Sequence, residues 1–281
     1  MMKIGWIGMG KMGVPMSEKI LRAGHDLLVY NRTKEKAKPL IDQGAQFIDS
    51  LGSMLEKVEV IFVMISDDDA VEEIFTGDNG LLSSSASGKV IVNMSTITPE
   101  MSKKMAERCK AQQLEYIDAP VSGSVKQAEE ASLVIIAGGD EDVVDQVRPL
   151  LEKIGKAVVY IGEVGTGNAA KLAVNTFLGI VTQGLAETIK FSKSMGVDAA
   201  TFLNILKAGA LGSPYLNIKS DAVLNDNYKA AFTLDHLAKD LRYAKGSGLK
   251  GKVGLATHDT FQEAVKEFGD EDVMAILKHL K

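Results

Sequence analysis

Lys171 and Asn175 stand one helical turn apart in a run of mostly small and apolar residues over 172–181. On a helix they would share a face. An amine and an amide in such a setting are costly unless each meets a partner or a ligand. Close to a helix N-terminus, burial and the helix dipole would both push the lysine's pKa downward, towards proton transfer near neutrality. A helical lysine more often carries its ammonium to water along an apolar stem, and the pattern alone leaves that alternative open.

A second group lies near the start of the chain. Gly8, Met9, Gly10, Lys11, Met12 and Gly13 fit G-x-G-x-x-G. The hexapeptide follows an apolar run and opens a segment of helical character. Such a turn suits a pyrophosphate: glycines let the backbone approach closely, and free N–H groups at a helix N-terminus face the phosphates. Binders of NAD usually carry an acidic residue about 20 positions further on, for the ribose 2′-hydroxyl. Here Asn31, Arg32 and Thr33 stand there instead, with Lys36 beyond. Asn31 does not repel a 2′-phosphate and the Arg32 guanidinium can pair with one. The expected cofactor is therefore NADP(H) in preference to NAD(H), with NAD(H) possible.

The elements that position these residues follow from hydrophobic periodicity. Strands are expected at 3–7, 27–30, 60–65, 90–93, 115–118, 133–137 and 158–161, and helices at 13–23, 33–43, 99–112 and 141–154, with one more opening at Asp69. Alternation of this kind builds βαβ units and a parallel sheet covered on both faces. Beyond Gly165 strand-like runs vanish and helical periodicity continues through 168–195, 198–207, 213–224, 234–246 and 253–268. The expected fold is α/β: a Rossmann-type doubly wound parallel sheet over 1–163, then an all-helical domain over 164–281, joined by a long interdomain helix. The apolar character of that helix implies burial on most sides, with a second subunit as one possible cover, hence a homodimer or homotetramer.

Composition excludes several classes. Thirty-two lysines and arginines against 37 aspartates and glutamates give a net charge of −5, without the basic block of a nucleic-acid or anionic-membrane binder. One cysteine cannot form an internal disulfide, and the four histidines lack metal-ligand spacing, so no metal is expected. The uncharged stretch over 172–186 falls short of the roughly 20 residues a membrane span needs. No signal-like segment precedes the first strand, so a cytoplasmic location is the expectation.

Four motifs occur together in one order: Ile7 with the glycine hexapeptide, Asp118-Ala119-Pro120-Val121-Ser122-Gly123, the run from Gly165 through Lys171 to Asn175, and Lys239-Asp240. Across essentially the whole chain they resemble the β-hydroxyacid dehydrogenase family, in look nearest its glyoxylate and succinic semialdehyde reductases. The resemblance implies that Lys171 exchanges a proton with the reacting oxygen and that Asn175 helps hold that oxygen. It implies that Ser122, Gly123 and Ser124 form the substrate carboxylate loop. Thr96 would line both nicotinamide and substrate, and Phe232 and Asp240 would face the substrate. Met64 and Ile65 would flank the dinucleotide, and Lys239 would close over it. Ser124 and Ala131-Ser132 depart from the family's usual glycine-bearing patterns, and Ser66 replaces a common proline.

These readings converge on hydride transfer between a nicotinamide and a small carboxylate-bearing aldehyde or hydroxy acid, run as NADPH-dependent reduction. NAD-dependent oxidation of 3-hydroxyisobutyrate or a similar 3-hydroxy acid is the alternative. An imine reductase is disfavoured by Lys171, and a 6-phosphogluconate dehydrogenase by the length of the helical half. A non-catalytic NADP(H)-binding sensor is the alternative from another class.

Overall fold

The computed structural model describes residues 1–280. Its first half runs β1 (Lys3–Ile7), α1 (Gly13–Arg22), β2 (Asp26–Tyr30), α2 (Lys38–Ile41), β3 (Gln46–Phe47), α3 (Leu51–Lys57), β4 (Val60–Val63), α4 (Asp68–Thr76), β5 (Val90–Asn93), α5 (Pro99–Ala111) and β6 (Glu115–Asp118). It continues with β7 (Val121–Ser122), α6 (Val125–Glu129), β8 (Leu133–Ala137), α7 (Glu141–Leu151) and β9 (Gly155–Tyr160). The helical half follows: α8 (Thr166–Ser194), α9 (Ala199–Ala208), α10 (Pro214–Leu224), α11 (Leu234–Gly246), α12 (Lys252–Phe268) and α13 (Ile276–His279). Two compact units result, 1–171 and 172–281, and the division falls within α8.

In the first unit six strands form a parallel sheet in the order β3-β2-β1-β4-β5-β6. Strand order reverses about β1, with β2 on one side and β4 on the other, which opens a crevice at the carboxyl ends of the strands. Both faces of the sheet are covered. Trp6 and Phe62 stack at 5.1 Å on one face, and Phe75 meets Tyr116 edge-on at 6.0 Å on the other. Neighbouring strand residues thus serve opposite cores, as a period of two requires.

The remaining strands depart from the expected single sheet. β7, β8 and β9 form a separate three-stranded sheet, antiparallel between β7 and β8 and parallel between β8 and β9. Segment 33–43 is also not one helix: a 3-10 turn over Lys34–Ala37 leads into the single turn of α2, where Pro39 occupies the first helical turn and lacks an N–H. α4 opens one residue ahead of expectation, at Asp68, with Asp67 as its N-cap.

The second unit packs its helices around Leu185, Ile189, Leu237, Leu241, Phe261 and Val273. Gly179 lets α8 approach α11 and α12, since a Cβ there would already meet Thr257 at 3.2 Å and Leu241 at 3.4 Å. Within one chain α8 is buried along one face only. Val174 is 42 %, Phe177 68 % and Phe191 65 % exposed, while Lys171 and Asn175 on another face are buried. Periodicity shows which residues are apolar; it does not show that every apolar stripe has a cover. By length and composition alone the 29-residue α8 could cross a membrane, yet its inward face builds the core of this unit.

Candidate active site

The glycine turn between β1 and α1 separates into two kinds of glycine. Gly8 has φ +101°, and a Cβ on it would overlap the Met64 carbonyl oxygen. A Cβ on Gly13 would overlap the carbonyl oxygen of Gly8. The fold itself therefore demands both. Gly10 is different: φ lies outside the left-handed region and a Cβ would meet nothing within 4 Å. The space beside it is open, which is where the motif brings a pyrophosphate. α1 begins at Met12 without a side-chain cap, and no acidic residue stands in its first turn. Val14 N–H turns back to the Gly10 carbonyl at 3.2 Å and Pro15 has no N–H, so the Gly13 N–H is what the first turn leaves for an anion.

The rest of the turn is tied to the end of β2. Gly8 N–H donates to the Tyr30 carbonyl at 3.0 Å, and Met9 N–H donates to Asn31 Oδ1 at 2.9 Å. Asn31 Nδ2 donates in turn to the Thr33 carbonyl at 2.8 Å. The Asn31 amide thus shapes the two loops that meet at this crevice. Arg32, Thr33 and Lys36 are exposed beyond it. A basic edge with no acidic residue at the Asn31 position suits a 2′-phosphate.

At the ends of β4 and β5 the backbone turns through a buried polar network. Asn93 Oδ1 accepts from Ser95 N–H and its Nδ2 donates to Tyr116 Oη, both at 3.0 Å. Ser95 Oγ accepts from Ile65 N–H at 3.0 Å. Ile97 N–H donates to Asn168 Oδ1 at 3.0 Å. Thr96 therefore sits half-buried between two tethered neighbours, and Met64 and Ile65 hold the adjoining strand end.

Ser122 closes β7, and Gly123 follows with φ +139°, a conformation that favours glycine. Ser124 is spent on structure. It is the N-cap of α6, and both its N–H and its hydroxyl donate to Gln127 Oε1, at 2.9 and 2.6 Å. Ser124-x-x-Gln127 is a capping-box pattern legible in the sequence. It leaves Ser122 and the Gly123 backbone as this loop's open positions for a carboxylate.

Lys171 lies in the second turn of α8 and is 9 % exposed; Asn175, one turn on, is 2 % exposed. In the second unit Asn175 Nδ2 donates to Asp240 Oδ2 at 2.6 Å. Lys239 Nζ lies 2.9 Å from Asp240 Oδ1, an ion pair without hydrogen-bond alignment. The Lys239 ammonium also stands 4.7 Å from the Tyr243 ring centroid. Phe232 stacks on His236 at 6.2 Å. Asp240 thus fixes the orientation of the Asn175 amide, so that its carbonyl oxygen and second N–H point elsewhere.

Asp118, quoted above only as part of a motif, proves to be a fully buried carboxylate at the end of β6. It accepts from Gly165 N–H at 2.8 Å and from Asn168 N–H at 2.7 Å. Desolvation pushes its pKa up to about 6, against the pull of those N–H groups. A long apolar helix whose first turn lacks acidic residues was the one available signal that a carboxylate from elsewhere had to serve it.

The chain's relatives agree with this geometry. Residues 3–162 match the NAD binding domain of 6-phosphogluconate dehydrogenase, and residues 165–280 match the NAD-binding domain of NADP-dependent 3-hydroxyisobutyrate dehydrogenase. The chloroplastic glyoxylate/succinic semialdehyde reductase 2 of Arabidopsis thaliana is 34% identical over 99% of this chain and 79% of its own length. The 2-hydroxy-3-oxopropionate reductase of Escherichia coli is 33% identical over 93% of this chain and 89% of its own. The solved structure of Psf3 in complex with NADP+ and 2-OPP superposes with a TM-score of 0.90 at 27% identity, covering 99% of this chain and 100% of that one. With its dinucleotide-binding turn, its helical second half and these relatives, the chain belongs to the β-hydroxyacid dehydrogenase family, as a nicotinamide-dinucleotide-dependent oxidoreductase of hydroxy acids.

Proposed function

We propose that this enzyme reduces a short aldehyde acid, of the glyoxylate or succinic semialdehyde type, to its hydroxy acid at the expense of NADPH. The observation that carries the reading is the buried Lys171, one helical turn before the buried Asn175 on an α8 anchored to the end of β6. When bound, the nicotinamide supplies the hydride. Gly10 and the Gly13 N–H at the start of α1 would hold the pyrophosphate, and Arg32 and Thr33 would take the 2′-phosphate. Met64, Ile65 and Thr96 line the cofactor's side of the strand ends.

The remaining steps belong to the protein's own side chains. Ser122 and the Gly123 backbone hold the substrate carboxylate and so fix the carbonyl, a kind of positioning worth about 7–11 kcal/mol of barrier at its best. Lys171 Nζ delivers a proton to the carbonyl oxygen as it becomes an alkoxide, and takes it back in the reverse direction. Asn175, its amide turned by Asp240, holds that oxygen. Phe232 and Asp240 select the substrate, and Lys239 favours the cofactor's negative charge. The Arabidopsis thaliana relative is a glyoxylate/succinic semialdehyde reductase by name, which supports the choice of substrate class.

A screen of NADPH oxidation across short aldehyde acids tests this reading. Turnover of glyoxylate or succinic semialdehyde with NADPH is expected. Faster turnover of 3-hydroxyisobutyrate with NAD+ would replace the reading by the oxidative one. On the same footing, the exposed stripe of Val174, Phe177 and Phe191 on α8 is covered by a second copy of the chain. Light scattering that found a monomer at micromolar concentration would overturn that part.

A further inference from the structure

We infer that Asp118 is a positioning residue for the reaction: its buried carboxylate sets the height and rotation of α8, and through them the place of Lys171. The inference rests on the reading of Lys171 given above and extends it to a group that need not touch the substrate.

The geometry is specific. Both carboxylate oxygens are used, Oδ1 on Gly165 N–H and Oδ2 on Asn168 N–H. These two donors bracket the first turn of α8, so the pair fixes rotation as well as height. Asn168, bound through its backbone, is bound again through its side chain. Its Oδ1 accepts from Ile97 N–H and its Nδ2 donates to Ser102 Oγ, both at 3.0 Å. Three elements thereby converge on one turn: the end of β6, the loop after β5, and α5. Lys171 is the next residue along the helix on that side, three beyond Asn168.

The fit leaves no slack. A Cβ on Gly138 would lie 2.8 Å from Asp118 Oδ1, and a Cβ on Gly167 would lie 2.8 Å from Oδ2. Neither glycine has a positive φ; close approach requires them, of backbone as well as carboxylate, since the same Cβ atoms would meet the Glu163 carbonyl oxygen at 2.8 Å (Gly138) and the Asp118 and Ile136 carbonyl oxygens at 2.7 Å (Gly167). Longer or branched replacements of Asp118 are excluded by the same contacts. No ion pair with Asp118 occurs among the described residues. Tyr116 on β6 is its buried titratable neighbour, with Cys109 of α5 beyond it, and burial pushes both to higher pKa, which keeps them uncharged. Of the charged residues, Lys103 of α5 comes beside Gly165, the Glu163 backbone comes beside Gly138, and Lys171 lies three residues beyond Asn168. The charge is thus balanced chiefly by peptide dipoles and the N-terminus of α8.

A protonated carboxyl presents a donor where the site needs an acceptor. One of the two N–H groups would then face a hydrogen, and the helix would lose a tether. The raised pKa of about 6 brings this change close to neutrality.

Asp118→Asn makes the same exchange permanently, and hydrogen–deuterium exchange of the full-length protein reads it without any assay of activity. Amides of residues 165–172 should exchange at least about tenfold faster in the variant, while those of the α1 turn stay unchanged. In wild type the same amides should lose protection as pH falls from 7.5 to 5, after correction for intrinsic rates, and the variant should show no such step. With a substrate in hand, kcat should fall about 10- to 100-fold with KM for NADPH within about twofold, and the acid limb of the kcat profile near pH 6 should vanish. Should Asp118→Asn not fold, Ser102→Ala, which removes one tether from Asn168, should give the same pattern at smaller amplitude. Unchanged exchange at 165–172 overturns the inference, as does faster exchange with unchanged kcat. Absence of any reductase activity in wild type would count against the proposed reaction alone, because the exchange experiment still decides the anchor.

Discussion

Two junctions in the first unit join the carboxyl end of a strand to the N-terminus of a helix, and they are built in opposite ways. Between β1 and α1 the helix starts uncapped, with no acidic residue in its first turn and with Gly10 beside open space. Between β6 and α8 the first turn of the helix is filled by Asp118, fully buried and bonded to two of its N–H groups. Both meet the same demand, since every helix begins with N–H groups that lack partners inside it. One junction satisfies Val14 N–H through the Gly10 carbonyl, has no N–H at Pro15 and leaves the rest of the demand to a visiting anion, and the other is served by a carboxylate from within. The first can therefore bind a diphosphate, and the second can hold the side chain of Lys171 still.

The sharpest test separates holding from reacting. Lys171→Ala leaves both junctions in place, so NADP(H) affinity by fluorescence titration and exchange at residues 165–172 should match wild type. Turnover should fall by about 10²–10⁴-fold, the range that a positioned acid–base group contributes. A variant with half the wild-type rate would remove Lys171 from the chemistry.

The internal anion has a thermodynamic signature that an external one lacks. Asp118 has its pKa raised from 3.8 to about 6 in the folded protein. Between those values the folded chain binds more protons than the unfolded chain, so this group's contribution to stability falls as pH rises through the window. Two units correspond to about 3 kcal/mol. Wild type should therefore lose stability relative to Asp118→Asn between pH 4 and pH 6, read as the difference of their Tm values across that range. Parallel Tm curves for the two proteins would show that Asp118 does not titrate there.

How much of this contrast could be read before the fold was known differs between the junctions. The β1–α1 turn announces itself, because its demands are local: two glycines fit only a crowded backbone, and a third fits only a ligand. β5, β6 and β8 coincide with their apolar runs for the same reason. The role of Asp118 was not legible, since it depends on Gly165 and Asn168 more than forty residues away. β3 and β7 are two residues each, too short to carry a period. α3 hides behind Gly52 and Ser53, poor helix formers that its Ser50 cap and buried Leu51, Met54 and Leu55 outweigh. Ser124 was drawn into the carboxylate loop by its neighbours in sequence, although the spacing to Gln127 already gave it a capping task.

If the open junction exists for a phosphate, closing it should cost the ligand and spare the fold. Gly10→Ala places a methyl where no protein atom lies within 4 Å, so Tm should stay within a degree or two. NADP(H) affinity should fall by about tenfold or more, because the backbone can no longer approach the pyrophosphate. Met12→Asp attacks the same site through charge. It imports into α1 the kind of internal anion that Asp118 provides for α8, with a helix-dipole gain of about 0.3–1 kcal/mol and a matching loss of affinity for the dinucleotide. If both variants bound NADP(H) as wild type does, the two junctions would not differ in the way described.

The smallest effect concerns which dinucleotide the open junction takes. The turn itself cannot choose, since NAD and NADP share the pyrophosphate that Gly10 and α1 face. Asn31 is also committed, its amide bonded to Met9 N–H and to the Thr33 carbonyl. On the reading proposed above, choice falls to the exposed Arg32 and Thr33. Arg32→Ala should lower the ratio of kcat/KM with NADPH to that with NADH by about tenfold, the scale of one hydrogen bond to a charged group. Gly10→Ala should lower both values and leave their ratio nearly constant. High salt should erode the Arg32 effect before the Gly10 effect, because an exposed charge is screened within about 8–10 Å at moderate ionic strength and a steric clash is not screened at all. A ratio that did not move in Arg32→Ala would transfer the choice to another group on the β2 edge, with Lys36 the next basic side chain in that segment.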